Sequence, residues 1–457
     1  MVSLLDSGQR LFGTDGVRGV ANLELTPELA TAIGRSAGLQ IKLGPVVVGR
    51  DTRRSGEMLS LALQAGFHSA GIDTLDVGVL PSGGISYLTH EMGAQMGAVV
   101  SASHNPAPDN GIKLLSSLGT KLTDEEEDQI EARIRSSSQR IPTGHLVGTR
   151  FSDGASFDRY LDFLAATARY SYRGMAVAVD AANGAAYKAA PALFRKLRAS
   201  VEEWAVEPDG NNINLGCGST HPEFLSERAV GRIGLAFDGD ADRLLAFDED
   251  GHPLNGDVIM AIIARHMKAQ GQLRGNLVVA TVMSNLGFRK AMAECGIELI
   301  ETKVGDRYVL EAMRERKAIL GGEQSGHIIF LDRGRTGDGL LTAVRLLDVV
   351  AGTGKELRQL RAEAMIEYPQ VLRNVPVGRG SRLEDAAEVW AETREVEREL
   401  GAEGRVLVRA SGTEPLVRVM VEAPSQEAAS GYADRLAQVV GAALGAASAP
   451  GLTRERS

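Results

Sequence analysis

The sequence predicts an α/β fold in several domains, because strand-like apolar runs alternate with helix-periodic stretches and this alternation recurs along 457 residues. In the first repeat, apolar runs at residues 46–49 and 98–100 flank a stretch of helical spacing at residues 56–70. Two further repeats follow, with strands predicted at residues 175–179, 233–237, 277–282, 297–301 and 318–320 and helices at residues 189–197 and from Leu286. A chain of this length exceeds one ordinary core, so we expect about three or four domains.

The carboxyl-terminal part follows a different pattern. Short alternating strands are predicted at residues 371–377 and 405–408, and helices at residues 384–400 and 425–444, which is typical of a small α+β domain. The predicted fold class is therefore α/β, with three related α/β domains of mixed, mostly parallel sheets plus a small α+β C-terminal domain. We place the four domains at residues 1–150, 151–253, 254–368 and 369–457.

Charge and composition exclude several classes of partner. The formal net charge of −9 argues against nucleic acid and anionic membranes, because both need concentrated positive charge. An anionic small molecule stays open, since a few arginines can form a local positive pocket. No apolar run approaches the roughly 18 residues of a membrane span, and no secretory signal is visible. The two cysteines, Cys217 and Cys295, fit a reducing compartment, so we expect a cytoplasmic protein.

Each α/β repeat ends in a polar, glycine-containing or turn-forming loop after a short apolar strand. These loops are SASHNP at residues 101–106, DGDADR at residues 238–243 and GGEQSGH at residues 321–327. Open α/β sheets bind ligands at the carboxyl ends of their strands. We therefore expect the three loops to face one cleft, and the alternative is that each is an ordinary turn between a strand and a helix.

The DGDADR loop places three carboxylates, Asp238, Asp240 and Asp242, at alternate positions. Carboxylates this close repel one another, and a bound divalent cation removes that cost. Hard oxygen ligands suit Mg²⁺, which keeps its remaining positions for water or phosphate. Arg243 offers a positive fork suited to a phosphate oxygen. The pattern predicts one magnesium ion per chain, and the alternative is an acidic surface turn.

The SASHNP loop presents Ser103 among small neighbours. A serine hydroxyl is a weak nucleophile unless it is activated or already phosphorylated, and no Gly-x-Ser-x-Gly elbow of the hydrolase type surrounds this one. His104 is able to donate to a phosphate group, and Lys113 is able to neutralise one. By itself, the pattern favours a turn serine beside a capping histidine.

Two further segments carry groups suited to a phosphorylated sugar. In RASGTEPLVR, hydroxyl and backbone N–H groups stand between two arginines, which predicts an anion site, and the alternative is a capped loop between strands. The candidate residues are Arg409, Ser411, Gly412, Thr413 and Arg418. GGEQSGH offers carboxylate, amide, hydroxyl and imidazole groups to sugar hydroxyls, on Glu323, Gln324, Ser325 and His327. FGTDGVRG, which contains Arg18, reads by spacing as a glycine-rich turn, and KVGDRYV at residues 303–309 reads as a solvated connection.

Six segments together resemble the α-D-phosphohexomutase superfamily: FGTDGVRG, SASHNP, DGDADR, KVGDRYV, GGEQSGH and RASGTEPLVR. The similarity runs from Phe12 to Glu422, and the ordered set is specific although single motifs are not. The resemblance implies three related α/β domains and a smaller fourth domain around a central cleft. It also implies an isomerase that moves a phosphoryl group on a small phosphosugar.

The resemblance assigns roles to individual residues. The catalytic phosphoserine falls on Ser103, and its phosphate is expected to join the three aspartates of DGDADR as a magnesium ligand. Arg18, His104, Lys113 and Arg243 match positions around that phosphoserine. Glu323 and Ser325 match the sugar-binding loop, and the candidate residues of RASGTEPLVR match a distal phosphate site. A sugar bisphosphate is expected as intermediate and activator.

Finer features favour the glucosamine branch of the superfamily. Gln324 resembles that branch, because the glucose and mannose branches often carry methionine there, and an amide oxygen accepts a hydrogen bond from a sugar ammonium. The implied reaction interconverts glucosamine 6-phosphate and glucosamine 1-phosphate for synthesis of UDP-N-acetylglucosamine and peptidoglycan precursors. The alternative is that Gln324 is a packing variant. Ala241 departs from the glycine of many relatives, which costs roughly 1 kcal/mol if the position requires positive φ.

Other functions stay open from the sequence alone. A phosphoglucomutase or phosphomannomutase of the same superfamily would differ in its sugar. A magnesium-dependent phosphatase would pass phosphate from Ser103 to water, although it needs no second phosphate site. A non-catalytic sugar-phosphate sensor need not keep Ser103, Lys113 and the aspartates. Monomer and homodimer are both compatible with the sequence.

Overall fold

The structure, a computed structural model, describes residues 10–13, 15–41, 44–136, 142–378, 381–411 and 415–445. Its contacts divide the chain into two compact units. The first unit comprises Met1–Ser284 and Met292–Ala364 and contains three sheets. The second comprises Asn285–Ala291 and Met365–Ser457 and contains one sheet.

The first sheet has six strands. Its elements in chain order are β1 (Val17–Val20), α1 (Pro27–Gly38), β2 (Val46–Arg50), α2 (Arg54–Ser69), β3 (Thr74–Val79), α3 (Ser82–Glu91), β4 (Met96–Val100), β5 (Asp109–Ser116), α4 (Asp124–Arg135) and β6 (Arg150–Ser152). The spatial order is β1-β5-β4-β2-β3-β6, in which β4, β2, β3 and β6 are parallel while β5 and β1 pair antiparallel. Helices α1 and α2 cross closely, because Gly34 and Gly66 leave room where a Cβ would lie 2.1 and 2.2 Å from carbonyl oxygens of the other helix.

The second sheet has five strands in the order β11-β10-β9-β7-β8. Its elements in chain order are α5 (Ser156–Thr167), β7 (Ala176–Asp180), α6 (Ala186–Lys196), β8 (Ser200–Trp204), α7 (Pro222–Ser226), β9 (Ile233–Phe237), β10 (Leu244–Phe247) and β11 (Pro253–Leu254). Strands β8, β7 and β9 are parallel, and β10 and β11 are antiparallel. Every residue of β9 is buried, which is why this central strand is a continuous apolar run.

The third sheet has four strands in the order β13-β12-β14-β15. Its elements in chain order are α8 (Gly256–Ala269), β12 (Leu277–Thr281), α9 (Leu286–Glu294), β13 (Glu298–Thr302), α10 (Asp306–Arg316), β14 (Leu320–Gly322), β15 (Ile328–Phe330), α11 (Gly339–Thr353) and α12 (Leu357–Ala364). Strands β13, β12 and β14 are parallel, and β15 turns back antiparallel. The loop between β14 and β15 is the GGEQSGH segment.

The carboxyl-terminal part of the second unit is an antiparallel three-stranded sheet with two α-helices among its described residues. Its elements in chain order are β16 (Gln370–Pro376), α13 (Ala387–Leu400), β17 (Arg405–Ala410), β18 (Leu416–Glu422) and α14 (Gln426–Leu444). The sheet order is β16-β18-β17, and its core includes Val419 and Val421 of the central strand with Leu436 of α14. The predicted small α+β domain is therefore present.

The predicted class of three mixed α/β sheets and one small α+β sheet is confirmed, and the predicted strands and helices lie within a few residues of the observed ones. The helix expected from residue 384 begins at Ala387, because a separate 3₁₀ turn occupies Leu383–Asp385. Sequence periodicity did not predict which edge strands run antiparallel, since strand direction depends on the path of the connection. Among the described residues, no helix is both long and apolar enough to span a membrane.

Candidate active site

Ser103 lies in the loop that reverses the chain from β4 into β5. Its side chain is buried, and its backbone has a left-handed φ of 50°, which is unusual for a residue other than glycine. The Ser103 N–H donates to Ser101 Oγ at 2.9 Å, and the Ser101 hydroxyl donates to Asp51 Oδ2 at 2.6 Å. These two hydrogen bonds stabilise a conformation that the backbone alone would disfavour.

The carbonyl groups of the same loop are held by two side chains from different sheets. Arg53, which is fully buried, donates to the carbonyl oxygens of Ser103 at 2.9 Å and Asn105 at 2.8 Å. Asn214, which lies between β8 and α7, donates from Nδ2 to the same two oxygens at 2.9 and 3.1 Å. Gly239 allows the two loops to approach closely, because a Cβ at this position would lie 2.5 Å from the Ser103 carbonyl oxygen. The serine loop of the first sheet is thereby fixed against the second sheet.

The three aspartates of DGDADR follow β9 and are buried. One carboxylate oxygen of each lies within 4.8 Å of the others. The Ser103 hydroxyl donates to Asp238 Oδ2 at 2.5 Å, so the predicted serine and the acidic triad (Asp238, Asp240 and Asp242) meet at one point. Burial, with the Asp242 and Asp240 charges, raises the pKa of Asp238 well above its ordinary value. This carboxylate is costly to keep ionised without a cation beside it.

The donor set of the acidic triad fits a hard divalent cation. Asp240 Oδ1 is buried without a hydrogen-bond partner, whereas its Oδ2 accepts from Ser82 Oγ at 2.8 Å and from Lys113 Nζ at 2.9 Å. Burial raises the pKa of Asp242, but Lys113 and His327 lower it by more, so the net pKa lies well below the ordinary value. An unpaired buried carboxylate oxygen among ionised neighbours is the environment that a metal ion satisfies.

Ala241, between two of these aspartates, has a φ of 57° and is fully buried. We expect Ala241→Gly to lose little unfolding free energy, because relief of about 1–2 kcal/mol of left-handed strain offsets the lost methyl group and the added chain entropy. The matched control is Ala236→Gly in the fully buried strand β9, which has no such strain to relieve and should lose about 1–2 kcal/mol. Denaturant unfolding of both variants checks this, and equal losses would contradict the strain at Ala241.

The four residues expected around the phosphoserine surround the Ser103 loop. His104 Nδ1 lies 3.4 Å from Ser103 Oγ, and burial together with Arg243 and Arg18 lowers the His104 pKa to about 4, so this imidazole is neutral at pH 7. Arg18 donates to Asn105 Oδ1 at 3.2 Å. The Arg243 N–H donates to Asp238 Oδ1 at 3.2 Å, and its guanidinium is about a quarter exposed.

Lys113 is held as an ammonium. Burial lowers the pKa of Lys113, but Asp15 at 3.0 Å and Asp240 raise it by more than burial lowers it. The net pKa therefore lies above the ordinary lysine value. Lys121 also contacts Asp15, at 2.5 Å, and reaches Asp306 of α10 at 2.7 Å. Lys113 is therefore suited to balance negative charge, whereas the neutral His104 is the better proton acceptor of the two.

The GGEQSGH loop divides into an accessible part and a buried part. Glu323 Oε1 accepts from the Gly305 N–H at 3.1 Å, and Ser325, which is exposed, lies with its Oγ 3.5 Å from Glu323 Oε2. Gln324 is partly buried. His327 is only 4% exposed; its Nε2 accepts from the Gly337 N–H, which leaves Nδ1 to face Asp242 Oδ2 at 3.4 Å. His327 thus contacts the acidic triad. That it also binds the sugar stays a prediction.

The predicted anion site lies in the second unit, at the turn between β17 and β18. Arg409 and Arg418 are directly opposite each other in the antiparallel pair, and burial together with the Arg418 charge lowers the pKa of Arg409. Like charges in this position destabilise the pair unless an anion lies between them. The Ser411 N–H donates to the Leu416 carbonyl at 2.9 Å and closes the turn. Gly412 and Thr413 lie outside the described residues.

Sequence reasoning missed the residues that support Ser103 and Lys113. Asp51 and Arg53 directly follow the buried strand β2, so the rule applied to the other loops could have found them. Asp15 and Asp306 lie in FGTDGVRG and KVGDRYV, whose spacing gave only a turn and a solvated connection. No local signal marks Asn214 or Lys121, because their roles depend on contacts far along the chain.

Comparison with known proteins agrees with this architecture. The four domain profiles of phosphoglucomutase/phosphomannomutase match in order: alpha/beta/alpha domain I at residues 9–141, domain II at residues 158–251, domain III at residues 255–368 and the C-terminal domain at residues 372–439. The chain belongs to the phosphoglucomutase/phosphomannomutase family, the α-D-phosphohexomutase superfamily.

Curated relatives of high similarity are phosphoglucosamine mutases, which are isomerases of this family. The protein of Desulforamulus reducens is 50% identical over 441 residues, covering 94% of this chain and 99% of its own length. That of Staphylococcus aureus is 49% identical over 445 residues, covering 94% and 98%.

Solved structures share the fold. A phosphoglucomutase/phosphomannomutase family protein from Burkholderia thailandensis has a TM-score of 0.80 at 27% identity, with 95% of this chain and 98% of that chain covered. The Aspergillus fumigatus N-acetylphosphoglucosamine mutase in complex with GlcNAc-6P and magnesium has a TM-score of 0.66 at 18% identity, with 95% and 96% covered.

Proposed function

We propose that this chain catalyses the phosphoglucosamine mutase reaction, the interconversion of glucosamine 6-phosphate and glucosamine 1-phosphate through a phosphorylated Ser103. The observation that carries the proposal is the Ser103 hydroxyl, 2.5 Å from Asp238 in a buried acidic triad. The relatives at about 50% identity support the choice of an amino sugar. The two cysteines are free, which supports a cytoplasmic location.

Asp238, Asp240 and Asp242 are proposed to hold one Mg²⁺ together with the Ser103 phosphate. The unpaired Asp240 Oδ1 supports this assignment, as does the magnesium bound in the Aspergillus fumigatus complex. When bound, the ion supplies positive charge that stabilises a transferring phosphoryl group. The triad orients the serine, because Asp238 accepts its hydroxyl hydrogen in the unphosphorylated state.

The residues around Ser103 then have distinct tasks during transfer. The sugar hydroxyl attacks the phosphorus of phosphoserine. The new oxygen–phosphorus bond forms as the bond to Ser103 Oγ breaks, the sugar hydroxyl gives up its proton, and Ser103 Oγ takes up a proton as it leaves. His104 is proposed to carry this proton between the two oxygens, since its imidazole is neutral and lies 3.4 Å from Ser103 Oγ. Lys113 and Arg243 offset the negative charge that spreads over the phosphoryl oxygens.

The second half of the reaction returns a phosphoryl group to Ser103 from the sugar bisphosphate after that intermediate has reversed its orientation. Arg409, Ser411 and Arg418, with Gly412 and Thr413, are proposed to bind whichever phosphate is distal to Ser103. The facing pair of arginines supports an anion there. Glu323 and Ser325 are proposed to bind sugar hydroxyls, and the same bisphosphate is proposed to prime Ser103.

The four domains are proposed to span residues 1–150, 151–253, 254–368 and 369–457. These bounds enclose the matched profile ranges, which supports them.

Substrate comparison tests the proposed amino-sugar preference. We expect kcat/KM for glucosamine 6-phosphate to exceed that for glucose 6-phosphate by at least about tenfold, since a hydrogen bond to a charged group contributes roughly 1.5–3 kcal/mol. Gln324→Met should reduce this ratio by about tenfold. The matched control is Ser325→Ala, which is proposed to affect groups common to both sugars and should lower both values without changing their ratio.

Coupled assays with Mg²⁺ and a catalytic amount of sugar bisphosphate measure both rates. An equal or reversed preference in the wild-type protein would assign it to the phosphoglucomutase or phosphomannomutase activity of the same family. Release of inorganic phosphate at the rate of sugar conversion would instead assign it to a phosphatase.

A further inference from the structure

An ion-pair chain of four residues, Lys113, Asp15, Lys121 and Asp306, runs from the acidic triad to the third sheet. Lys113 Nζ lies 2.9 Å from Asp240 Oδ2 and 3.0 Å from Asp15 Oδ2. Lys121 Nζ lies 2.5 Å from Asp15 Oδ1 and 2.7 Å from Asp306 Oδ2. The side chains are between 5% and 25% exposed, so their charges are only partly screened by water.

Lys113 is subject to opposing attractions in this arrangement. Asp240 and Asp242 attract it toward the triad, and Asp15 attracts it away. Lys121 balances part of the Asp15 charge and thereby limits that second attraction. Without Lys121, the cationic partners that remain to Asp15 among the described residues are Lys113 and Arg18, and Lys113 would move toward Asp15.

Asp306 determines where Lys121 lies. Asp306 is the first residue of α10 in the third sheet's domain, whereas Lys121 follows β5 in the first. Because His327 also belongs to the third domain and its Nδ1 lies 3.4 Å from Asp242 Oδ2, the third domain reaches the acidic triad by two routes. The position of Lys113 therefore depends on contact between the first and third domains.

We propose that Lys121 and Asp306 are positioning residues for phosphoryl transfer, which act through Asp15 to hold Lys113 beside the acidic triad. The inference rests on the proposed function, since it gives Lys113 the task of balancing charge on the transferring group. Neither residue needs to touch the sugar or the metal ion.

The neighbouring residue supplies a matched control. Arg307 also joins the third domain to the first, through ion pairs with Asp124 and with Glu127 at 3.2 Å, and these two acids keep Arg10 as a second partner. None of these pairs involves the acidic triad. Arg307→Met and Lys121→Met each remove one partly buried cation between the same two domains, and only the second touches the ion-pair chain.

We expect both variants to lower the melting temperature by similar amounts. Only Lys121→Met should lower kcat, by about ten- to a hundredfold, and its KM for the sugar phosphate should change less than about threefold. Mn²⁺ affinity, measured by electron paramagnetic resonance without sugar, should be no weaker than in the wild type. The reason is that a Lys113 displaced toward Asp15 removes positive charge from the triad.

The inference would be overturned if kcat of Lys121→Met stayed within threefold of that of Arg307→Met. A kcat loss matched by an equal weakening of Mn²⁺ binding would also overturn it. Lys121 and Asp306 would then support the geometry of the acidic triad and not the position of Lys113. As a second check, the Lys121→Met/Asp306→Asn double variant should be no slower than the worse single variant; additive losses would count against a shared role.

The result is independent of the sugar assignment. If the wild-type protein prefers glucose 6-phosphate, the proposed substrate fails, and the same comparison of variants on that substrate still tests the ion-pair chain. The Mn²⁺ measurement involves no sugar at all.

Discussion

Ser103→Ala should abolish mutase turnover, with a loss on the order of 10⁵-fold, because the variant has no oxygen to carry the phosphoryl group between the two halves of the reaction. The loop should keep its shape, since the Arg53 and Asn214 hydrogen bonds go to its carbonyl oxygens and not to the Ser103 side chain. The melting temperature is therefore expected to fall by only a few degrees, the effect of losing the Ser103 hydroxyl bond to Asp238.

Two measurements check this prediction. A coupled assay reports turnover, and mass spectrometry of the wild-type protein after incubation with a sugar bisphosphate should locate one added phosphoryl group on Ser103. The control Ser101→Ala removes the hydroxyl that accepts the Ser103 N–H, so it should slow turnover by a much smaller factor while leaving phosphorylation possible. Activity of Ser103→Ala above about a hundredth of the wild-type value would refute the role of Ser103.

Asp238→Asn is expected to make the metal-free protein more stable and the enzyme inactive. The pKa of Asp238 is raised by burial and by its two carboxylate neighbours, so the ionised carboxylate opposes folding at neutral pH. A neutral amide removes that repulsion, and the melting temperature without metal should rise by a few degrees. The same change removes a hard anionic ligand, so activity should fall by at least about a thousandfold.

The metal titration separates these effects. Mg²⁺ should raise the melting temperature of the wild-type protein, because a ligand that binds only the folded state stabilises it, and this increase should be lost in Asp238→Asn. The control is Asp250→Asn in the second acidic group, Asp248, Asp250 and His252, where Asp250 is exposed. That variant should keep the wild-type response, and a wild-type Mg²⁺ response in Asp238→Asn would contradict the metal site.

The sequence predicted most clearly the polar loops that follow the apolar strands, because this prediction depends only on neighbouring residues. Strands such as β4 and β9 are buried on both faces and therefore form apolar runs. The end of each run predicts where the strand ends and a polar loop begins. This rule located the loops that contain Ser103 and Asp238, and the structure brings the two side chains within a hydrogen bond. The role of Ser103 itself followed from the family resemblance. The resemblance of six ordered segments then gave the family, which the domain profiles confirm.

The sequence by itself determined the three α/β repeats, the small fourth domain and the residue types proposed to do the chemistry, because strand burial and helical periodicity are properties of neighbouring residues. The tertiary structure alone decided which residues support that chemistry. Asn214 and Arg53 hold the Ser103 loop from different sheets, and His327 lies against Asp242. Lys121 contacts Asp306, 185 positions along the chain. Charges on separate elements attract or repel only after folding places them a few ångströms apart, and no spacing along the sequence records that distance.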